Sequence, residues 1–360
     1  MLNYLDHLLT NAFMSCTSCH LPNLERIVAN FGLAAEKQLP QHFSKKGKVV
    51  VIAGPTCAGK SRLAIDLARR LHGEVVSADS MQVYRGMDIG TAKVSKDECA
   101  KVPHHLLDIR GIQEEFNVVD FYYEARKVCQ EILSRGAVPI VTGGSGFYLH
   151  ALLYGPPSGP PSVPEVREQI EREVEESGAD VLYQRLLTLD PVYAKTITKN
   201  DKQKIVRAIE IITLTNKKVS DHTWKGVRKP LQYDFRCWFV HYPRPFLYQK
   251  IEERCDQMLA AGFLEEVIRL EKEGIRQNSS ASQAIGYRQA LDFLATEKRP
   301  DDYLAFVRAF KQATRNYAKR QLTWFKKEPL FRWLDLQEHP QESVFQSITE
   351  DLAQGESQPL

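Results

Sequence analysis

Three runs of apolar residues, each ending in a polar or glycine-rich turn, set the rhythm of the first half of the chain. Lys48–Ala53, Gly73–Asp79 and Ala137–Thr142 are too short for helices and read as strands buried on both faces. Between them the apolar residues recur at helical spacing, first from Arg62 to Ala68 and again from an Asn117 cap to about Arg135. Pro103–Asp108 reads as a short loop-to-strand segment. The alternation predicts an α/β fold, a parallel sheet flanked by helices. Gly155–Pro161 cannot continue helix or sheet and marks a boundary. From Glu165 to about Thr215 the pattern is helical and highly charged, which predicts a small inserted helical domain. Phe235–Val240 returns to the sheet. Helices follow over Phe246–Ala260 and Leu264–Glu273, after Gly286, and from about Tyr303 to Lys327. The expected organisation is an N-terminal extension at 1–44, expected to be disordered, a core at 45–157 and 233–336, an insertion at 158–232, and a polar, peripheral tail at 337–360.

The last long helix changes the picture through charge. Arg308, Lys311, Arg315, Lys319 and Lys326 fall on one face, Tyr303, Val307, Phe310, Tyr317 and Trp324 on the other, and the sequence has no acid between Tyr303 and Lys327. An uncompensated basic stripe is expected to meet a polyanion. Elsewhere the composition is ordinary: 43% hydrophobic, 26% charged and a net charge of +3 over 360 residues, so any basic surface is local. No apolar run approaches the ~20 residues of a membrane helix. Seven cysteines without a disulfide framework fit a reducing cytosol. Cys16-Thr17-Ser18-Cys19-His20 has the spacing of a haem-attachment motif or half a zinc site, but no second ligand pair accompanies it. His104 and His105 are adjacent in an extended segment and point opposite ways, so they do not share a metal.

The chemistry is concentrated where the strands end. Gly54-Pro55-Thr56-Cys57-Ala58-Gly59-Lys60-Ser61 joins the first strand to a helix, the context in which a phosphate-binding loop is credible. Its backbone N–H groups and the helix N-terminus suit a polyanion. Lys60 can reach an outer phosphate, and the Ser61 hydroxyl suits a Mg²⁺ ion that keeps most of its waters. The fold expected from this loop is P-loop NTPase-like. Asp79 ends the second strand and points at the same crevice; the alternative is that it caps the N-terminus of a helix or holds Mg²⁺ indirectly. The third strand ends in Gly143-Gly144-Ser145-Gly146. The residues alone imply an enzyme acting on a phosphorylated or pyrophosphorylated substrate, and a small-molecule kinase also fits. On charge alone, the insertion with Arg167, Arg172 and Arg185 reads as a solvated surface, because acids are equally frequent there.

The phosphate loop, Asp79–Tyr84, Gly86–Lys93, Pro103–Ile109, Thr142–Leu149, Gly286–Gln289 and Ala318–Phe325, in this order, resemble the tRNA dimethylallyltransferase (isopentenyltransferase) family over about residues 47 to 335. The resemblance implies that the loop, Gly54 to Ser61, holds the pyrophosphate of dimethylallyl diphosphate. It implies an acceptor in the exocyclic amine of the adenosine 3′ to the anticodon, with diphosphate released. Asp79 matches the general base, and Ser145 stands beside it at the reaction centre where the family usually has Thr. Asp79, Ser80, Met81 and Gln82 match the adenosine-side contact. Ser145 and Arg167 match tRNA-contacting positions, as do Gln203, Lys204, Ile205, Val206 and Arg207 in the insertion, which reverses the charge-only reading. Lys319 and Arg320 match a face turned to the anion crevice. The implied cofactor is Mg²⁺ at Ser61. The implied partner is the tRNA anticodon stem-loop, with no membrane, for a cytoplasmic monomer. No Cys follows Cys255, so the tail resembles the bacterial type, without a zinc finger. The competing expectations are an ATP-dependent kinase with Asp79 as base, a non-catalytic RNA-binding module, and an enzyme prenylating free adenine nucleotides.

Overall fold

The computed structural model describes residues 47–157, 159–160, 162–221 and 233–354. The expectation for residues 1–44, with the Cys16–His20 motif, lies outside them. Six strands form one sheet: β1 (Lys48–Ala53), β2 (Gly73–Ser77), β3 (His104–His105), β4 (Val138–Gly143), β5 (Asp234–His241) and β6 (Arg332–Asp335). The helices of four or more residues are α1 (Lys60–Leu71), α2 (Lys96–Lys101), α3 (Val118–Ser134), α4 (Gly146–Tyr154), α5 (Pro164–Ser177), α6 (Ala179–Leu189), α7 (Pro191–Ala194), α8 (Lys202–Thr215), α9 (Arg244–Ala260), α10 (Phe263–Lys272), α11 (Tyr287–Leu294), α12 (Pro300–Phe325) and α13 (Gln341–Ala353). None of the described helices is long and apolar enough to cross a membrane.

The strands are all parallel, in the order β3-β2-β4-β1-β5-β6. Register decides what meets at the carboxyl edge. Ala53 lies opposite Gly143 and Phe239, and Ser77 opposite Thr142. The segments that leave β1, β2 and β4 therefore start side by side, at the edge where open α/β sheets bind ligands. Strand residues alternate between two apolar faces. Val49, Val51, Phe235 and Phe239 belong to one large cluster, and Val50, Ile52, Ile140 and Trp238 to a second with the α1 residues Leu63, Ala64 and Leu67. Each fully buried large side chain contributes about 1.5–3 kcal/mol.

The polar tail proves not to be peripheral. Val344, Phe345 and Ile348 of α13 are buried in the second cluster. Asp351 is buried and accepts from Arg236 Nη1 at 2.9 Å, with Arg332 Nη1 at 2.6 Å. Three apolar residues in a polar segment suffice for burial because they share one helix face, and because a sheet arginine neutralises the acid beside them. The edge strand β6, just ahead of this helix, was not foreseen either.

The described residues divide into two compact units, one within 159–221 and the other from 47–157 and 233–354. The smaller unit has its own core, in which Ile170, Val174, Leu186, Ile205 and Ile209 pack together. Asp190 ties it internally by accepting from Tyr193 N at 3.0 Å and Ser220 N at 2.8 Å.

Candidate active site

The phosphate loop turns between buried β1 and α1 through two residues in the left-handed region, Cys57 (φ 64°) and Gly59 (φ 82°). Among the described residues the N–H groups of Cys57, Gly59, Lys60 and Ser61 meet no protein acceptor, the arrangement expected of an anion nest at a helix N-terminus. Ala58 N bonds within the loop, to Pro55 O at 3.3 Å, whereas Thr56 N reaches out of it. It donates to Gln321 Oε1 at 2.9 Å, and Gln321 Nε2 donates to Gly144 O at 2.9 Å. One amide on α12 thus holds the phosphate loop and the β4 turn in register. A Cβ at Gly144 would stand 2.1 Å from that amide nitrogen, so any other residue there would displace the Gln321 amide from this bridge.

Lys60 Nζ donates to Pro55 O at 2.7 Å. Loss of water around it, and repulsion from the Arg254 guanidinium, lower its pKa to about 8, with Asp79 pulling the other way. Two cations are thus packed beside a ring of donors, an environment that an anion would relieve. Arg254, on α9, also donates to Cys57 Sγ at 3.7 Å.

Asp79 leaves β2 in a tight turn, its Oδ1 accepting from Met81 N (2.9 Å) and Gln82 N (3.3 Å). Asp79 thus caps a turn and not a helix, since the next helix begins only at Lys96; the turn is compatible with chemistry, because both bonds fall on one oxygen and among the described residues Oδ2 takes none. Ser145 Oγ accepts from Ser80 N at 3.3 Å and lies 3.5 Å from Ser80 Oγ, so the segments leaving β2 and β4 touch through hydroxyls. Gln82 is consumed internally, accepting from Ser77 Oγ at 3.1 Å and donating to Thr91 O at 3.2 Å. Burial, followed by the charge of Asp79, raises the pKa of the Tyr317 phenol, so it stays protonated as a donor; Ser145 and Gln321 interact with it.

Two adjoining cavities result. A narrow one of about 80 Å³ follows the phosphate loop past Lys60, Ser61 and Thr142; a wide one of about 330 Å³ is lined by apolar Ile251, Met258 and Phe310 and by Met81, Ser80 and Arg320. Thr56, Asp79, Thr91, Arg254 and Tyr317 line both, so the junction carries a carboxylate, a guanidinium and a phenol. A polar anion end opening into an apolar space suits a substrate with a charged head and a hydrocarbon tail.

Several expectations are corrected. Ile205 and Val206 are buried in the core of the smaller unit, so their side chains are not available to RNA. The Arg207 guanidinium is engaged by buried Glu210 at 2.7 Å and by Pro160 O. Glu210 also accepts from Ser162 Oγ (2.6 Å) and Val163 N (2.8 Å), which makes this group a clasp of the unit's own entry segment. Gln203 and Lys204 are exposed, and Lys204 pairs with Asp201 at 2.6 Å. Arg167 pairs with Glu171 at 2.9 Å. All these residues belong to the smaller unit.

The α12 stripe is also less bare than its sequence suggests. Lys311 pairs with Asp256 and Arg315 with Glu252, both acids coming from α9. Arg308, Lys319, Arg320 and Lys326 remain exposed. The dry face is rotated from the expected one. It runs through Phe306, Phe310, Ala318, Gln321 and Phe325, whereas Tyr303 and Trp324 are 38% and 40% exposed. The histidines do diverge: His105 Nε2 meets Glu74 Oε2 at 2.6 Å and His104 Nδ1 donates to Val102 O at 2.7 Å. No group of three or more His, Cys, Asp or Glu that could hold a metal occurs among the described residues.

Sequence reasoning missed Arg254, Gln321 and the buried Glu266. For two of them a signal existed. Gln321 interrupts an apolar stripe at Ala318 and Phe325, and Glu266 one at Phe263, Val267 and Leu270. A polar residue at a core position of a helix must have a buried partner.

Comparison with known proteins agrees with this geometry. The family model for IPP transferase matches residues 82–328. A tRNA dimethylallyltransferase of Protochlamydia amoebophila (strain UWE25) is 66% identical over 335 residues, 93% of this chain and 97% of that protein. One from Chlamydia pneumoniae is 51% identical over 307 residues, 85% and 90% of the two chains. Among solved structures, a tRNA delta(2)-isopentenylpyrophosphate transferase of Staphylococcus epidermidis is 34% identical with a TM-score of 0.62, covering 86% of this chain and 99% of that one. A eukaryotic dimethylallyltransferase acting on tRNA is 30% identical with a TM-score of 0.71, covering 87% and 81%. With a family model matched over most of its length and relatives this similar, the chain belongs to the IPP transferase family.

Proposed function

We propose that this chain transfers a dimethylallyl group from dimethylallyl diphosphate to the exocyclic amine of the adenosine 3′ to the anticodon of tRNA, releasing diphosphate. The observation that carries this reading is the junction at Asp79, where a carboxylate faces both an anion-binding loop and an apolar cavity. In this reading the diphosphate takes the N–H groups of the phosphate loop with Lys60 and Arg254, and the five-carbon tail extends into the wide cavity. The amine nitrogen attacks the first carbon of the tail as the carbon–oxygen bond to diphosphate breaks. Asp79 accepts the amine proton, a contribution typically worth ~10²–10⁴-fold in rate. The charge that grows on the departing diphosphate meets donors already in place, which need no reorganisation during the step. Tyr317 and Ser145, beside the carboxylate, keep the acceptor's edge hydrogen-bonded.

Mg²⁺ fits this donor set: the Ser61 hydroxyl is exposed at the start of α1, Asp79 lines the same cavity, and a magnesium ion takes few protein ligands beside water and phosphate oxygens. Bound there, it would neutralise charge on the diphosphate. An adenine inside an anticodon loop must leave its stack to reach Asp79, at a cost of a few kcal/mol that contacts elsewhere on the RNA offset. The exposed Lys319, Arg320 and Lys326 of α12, and the exposed Gln203 and Lys204 and half-buried Arg167 of the smaller unit, are the groups assigned to that task.

The test is incubation with Mg²⁺, unmodified tRNA and dimethylallyl diphosphate, followed by nucleoside mass spectrometry, with ATP replacing the prenyl donor as control. An adenosine that gains five carbons is the expected result. ATP turnover without prenyl transfer would replace this reading with phosphoryl transfer.

A further inference from the structure

The turn Asp88-Ile89-Gly90 aims three successive backbone N–H groups at one buried carboxylate. Glu266 Oε2 accepts from Asp88 N at 3.0 Å and Ile89 N at 2.7 Å, and Oε1 from Gly90 N at 3.1 Å and the Tyr287 hydroxyl at 2.6 Å. Consecutive amides converging in this way form an anion nest, filled here by the protein's own side chain, 6% exposed. The turn also lies flat on an aromatic pair: a Cβ at Gly90 would approach the Phe263 ring to 2.3 Å and the Tyr287 ring to 2.6 Å. Glu266 thus gathers three separate stretches of sequence, from α10, from α11 and from the turn.

What the turn holds in place is the active site. Gly90 and Thr91 line the wide cavity, and Thr91 lines the narrow one as well. The Thr91 carbonyl accepts from Gln82 Nε2, and the backbone N–H of Gln82 in turn donates to Asp79 Oδ1. A chain of named bonds therefore runs from Glu266 through the turn and Gln82 to the carboxylate at the cavity junction. Glu266 itself lines neither cavity. We propose that Glu266, with Tyr287 as its fourth donor, is a positioning residue for the transfer reaction: it fixes the Gly90–Thr91 wall and, through Gln82, the orientation of Asp79. The proposal rests on the transfer reading above. Charge matters to it. A carboxylate accepts four bonds with two oxygens, whereas the amide of a glutamine offers one oxygen and turns N–H groups toward the amides of the turn.

The experiment compares the full chain with Glu266→Gln and Tyr287→Phe, the latter removing a single bond. Three quantities are read: the single-turnover prenyl transfer rate at saturating substrates, the dissociation constant of inorganic diphosphate, and the thermal midpoint. Misplacement of a catalytic group by about 1 Å can cost ~100-fold in rate. The rate is therefore expected to fall roughly 10–100-fold in Glu266→Gln and about 3–10-fold in Tyr287→Phe, with diphosphate affinity held within about twofold in both. Unchanged rates in both variants overturn the proposal. So does a parallel loss of rate, diphosphate affinity and thermal midpoint, which would make Glu266 a scaffold group only. A parent chain that transfers no prenyl group overturns the transfer reading and this inference together, an outcome distinguishable from a parent that transfers normally and variants that do the same.

Discussion

Two turns at the same edge of the sheet are built as anion nests, and the fold uses them in opposite ways. Among the described residues the phosphate loop leaves the N–H groups of Cys57, Gly59, Lys60 and Ser61 without a protein acceptor, and places Lys60 and Arg254 beside them. The Asp88–Gly90 turn gives its three N–H groups to Glu266. The first nest is made for a ligand and the second is closed on itself, yet the second forms a wall of the cavity that the first opens into. In the transfer reading proposed above, the loop keeps its donors for the diphosphate, and rigidity comes from the neighbouring turn and from Gln321. The general lesson is that consumed and uncommitted polar groups must be told apart before any function is assigned to them.

Asp79 stands at the boundary between the two regimes, with one oxygen consumed by the turn and the other uncommitted among the described residues. Removing its basicity gives the largest expected effect. Asp79→Asn retains an acceptor for Met81 N and Gln82 N, so the turn survives, and the transfer rate falls ~100-fold or more while tRNA affinity is kept. Rapid-quench turnover and a filter-binding isotherm measure the two quantities, and near-normal turnover would remove Asp79 from the base role. The open nest predicts the next effect, a pH dependence. The Lys60 ammonium has its pKa lowered to about 8, chiefly by desolvation. It is charged below that pH and loses its proton above it. The KM for the prenyl donor is thus expected to be flat below about pH 8 and to rise by up to tenfold per pH unit beyond, with proton uptake on binding. Lys60→Arg should remain charged and flatten the profile. An unchanged alkaline limb in that variant would assign the titration to another group.

Much of this contrast was legible in the sequence, and the part that was not has a common cause. The open nest announces itself, because strand, glycine loop and helix follow one another within fourteen residues (Lys48–Ser61). The parallel strands and the start of the insertion were also readable, since apolar runs and Pro-Gly clusters are local signals. The closed nest depends on a carboxylate some 180 residues further along the chain. Glu265 and Glu266 are neighbours of identical chemistry, one exposed and one buried, and only their places relative to Phe263, Val267 and Leu270 separate them. The α12 stripe misled for the same reason: the acids that neutralise Lys311 and Arg315 lie on α9, out of view of any window along α12. The tail misled in the other direction, because a polar composition hid three apolar residues that share one face of α13.

Gln321 sharpens the comparison at intermediate size. It consumes a single donor of the open nest, Thr56 N, and ties it to Gly144. Gln321→Leu leaves both groups buried without partners, an expected loss of about 1–3 kcal/mol in stability. Donor KM is expected to rise about tenfold, because the loop gains freedom that it must lose on binding. Denaturant midpoints and donor titrations would show both; a donor KM within twofold of the parent would mean that the loop is held by β1 and α1 alone.

The smallest expected effects divide the basic groups of the insertion by the same rule. Arg207 is consumed, its guanidinium bound to Glu210 and Pro160, whereas Lys204 pairs with Asp201, a partly exposed acid just ahead of its own helix. Surface pairs of the second kind are worth little and yield readily to a phosphate. Lys204→Ala is therefore expected to weaken tRNA binding only a few-fold and to reduce the slope of log K against log salt by about 1. Arg207→Ala should leave that slope unchanged and lower the stability of the smaller unit instead, since buried Glu210 then loses its counter-charge. Binding isotherms over a range of salt concentrations, together with thermal melts, separate the two. A slope that falls for Arg207→Ala and not for Lys204→Ala would show that the pairing observed with Glu210 opens in the presence of RNA, and the division between consumed and uncommitted groups would then fail in this unit.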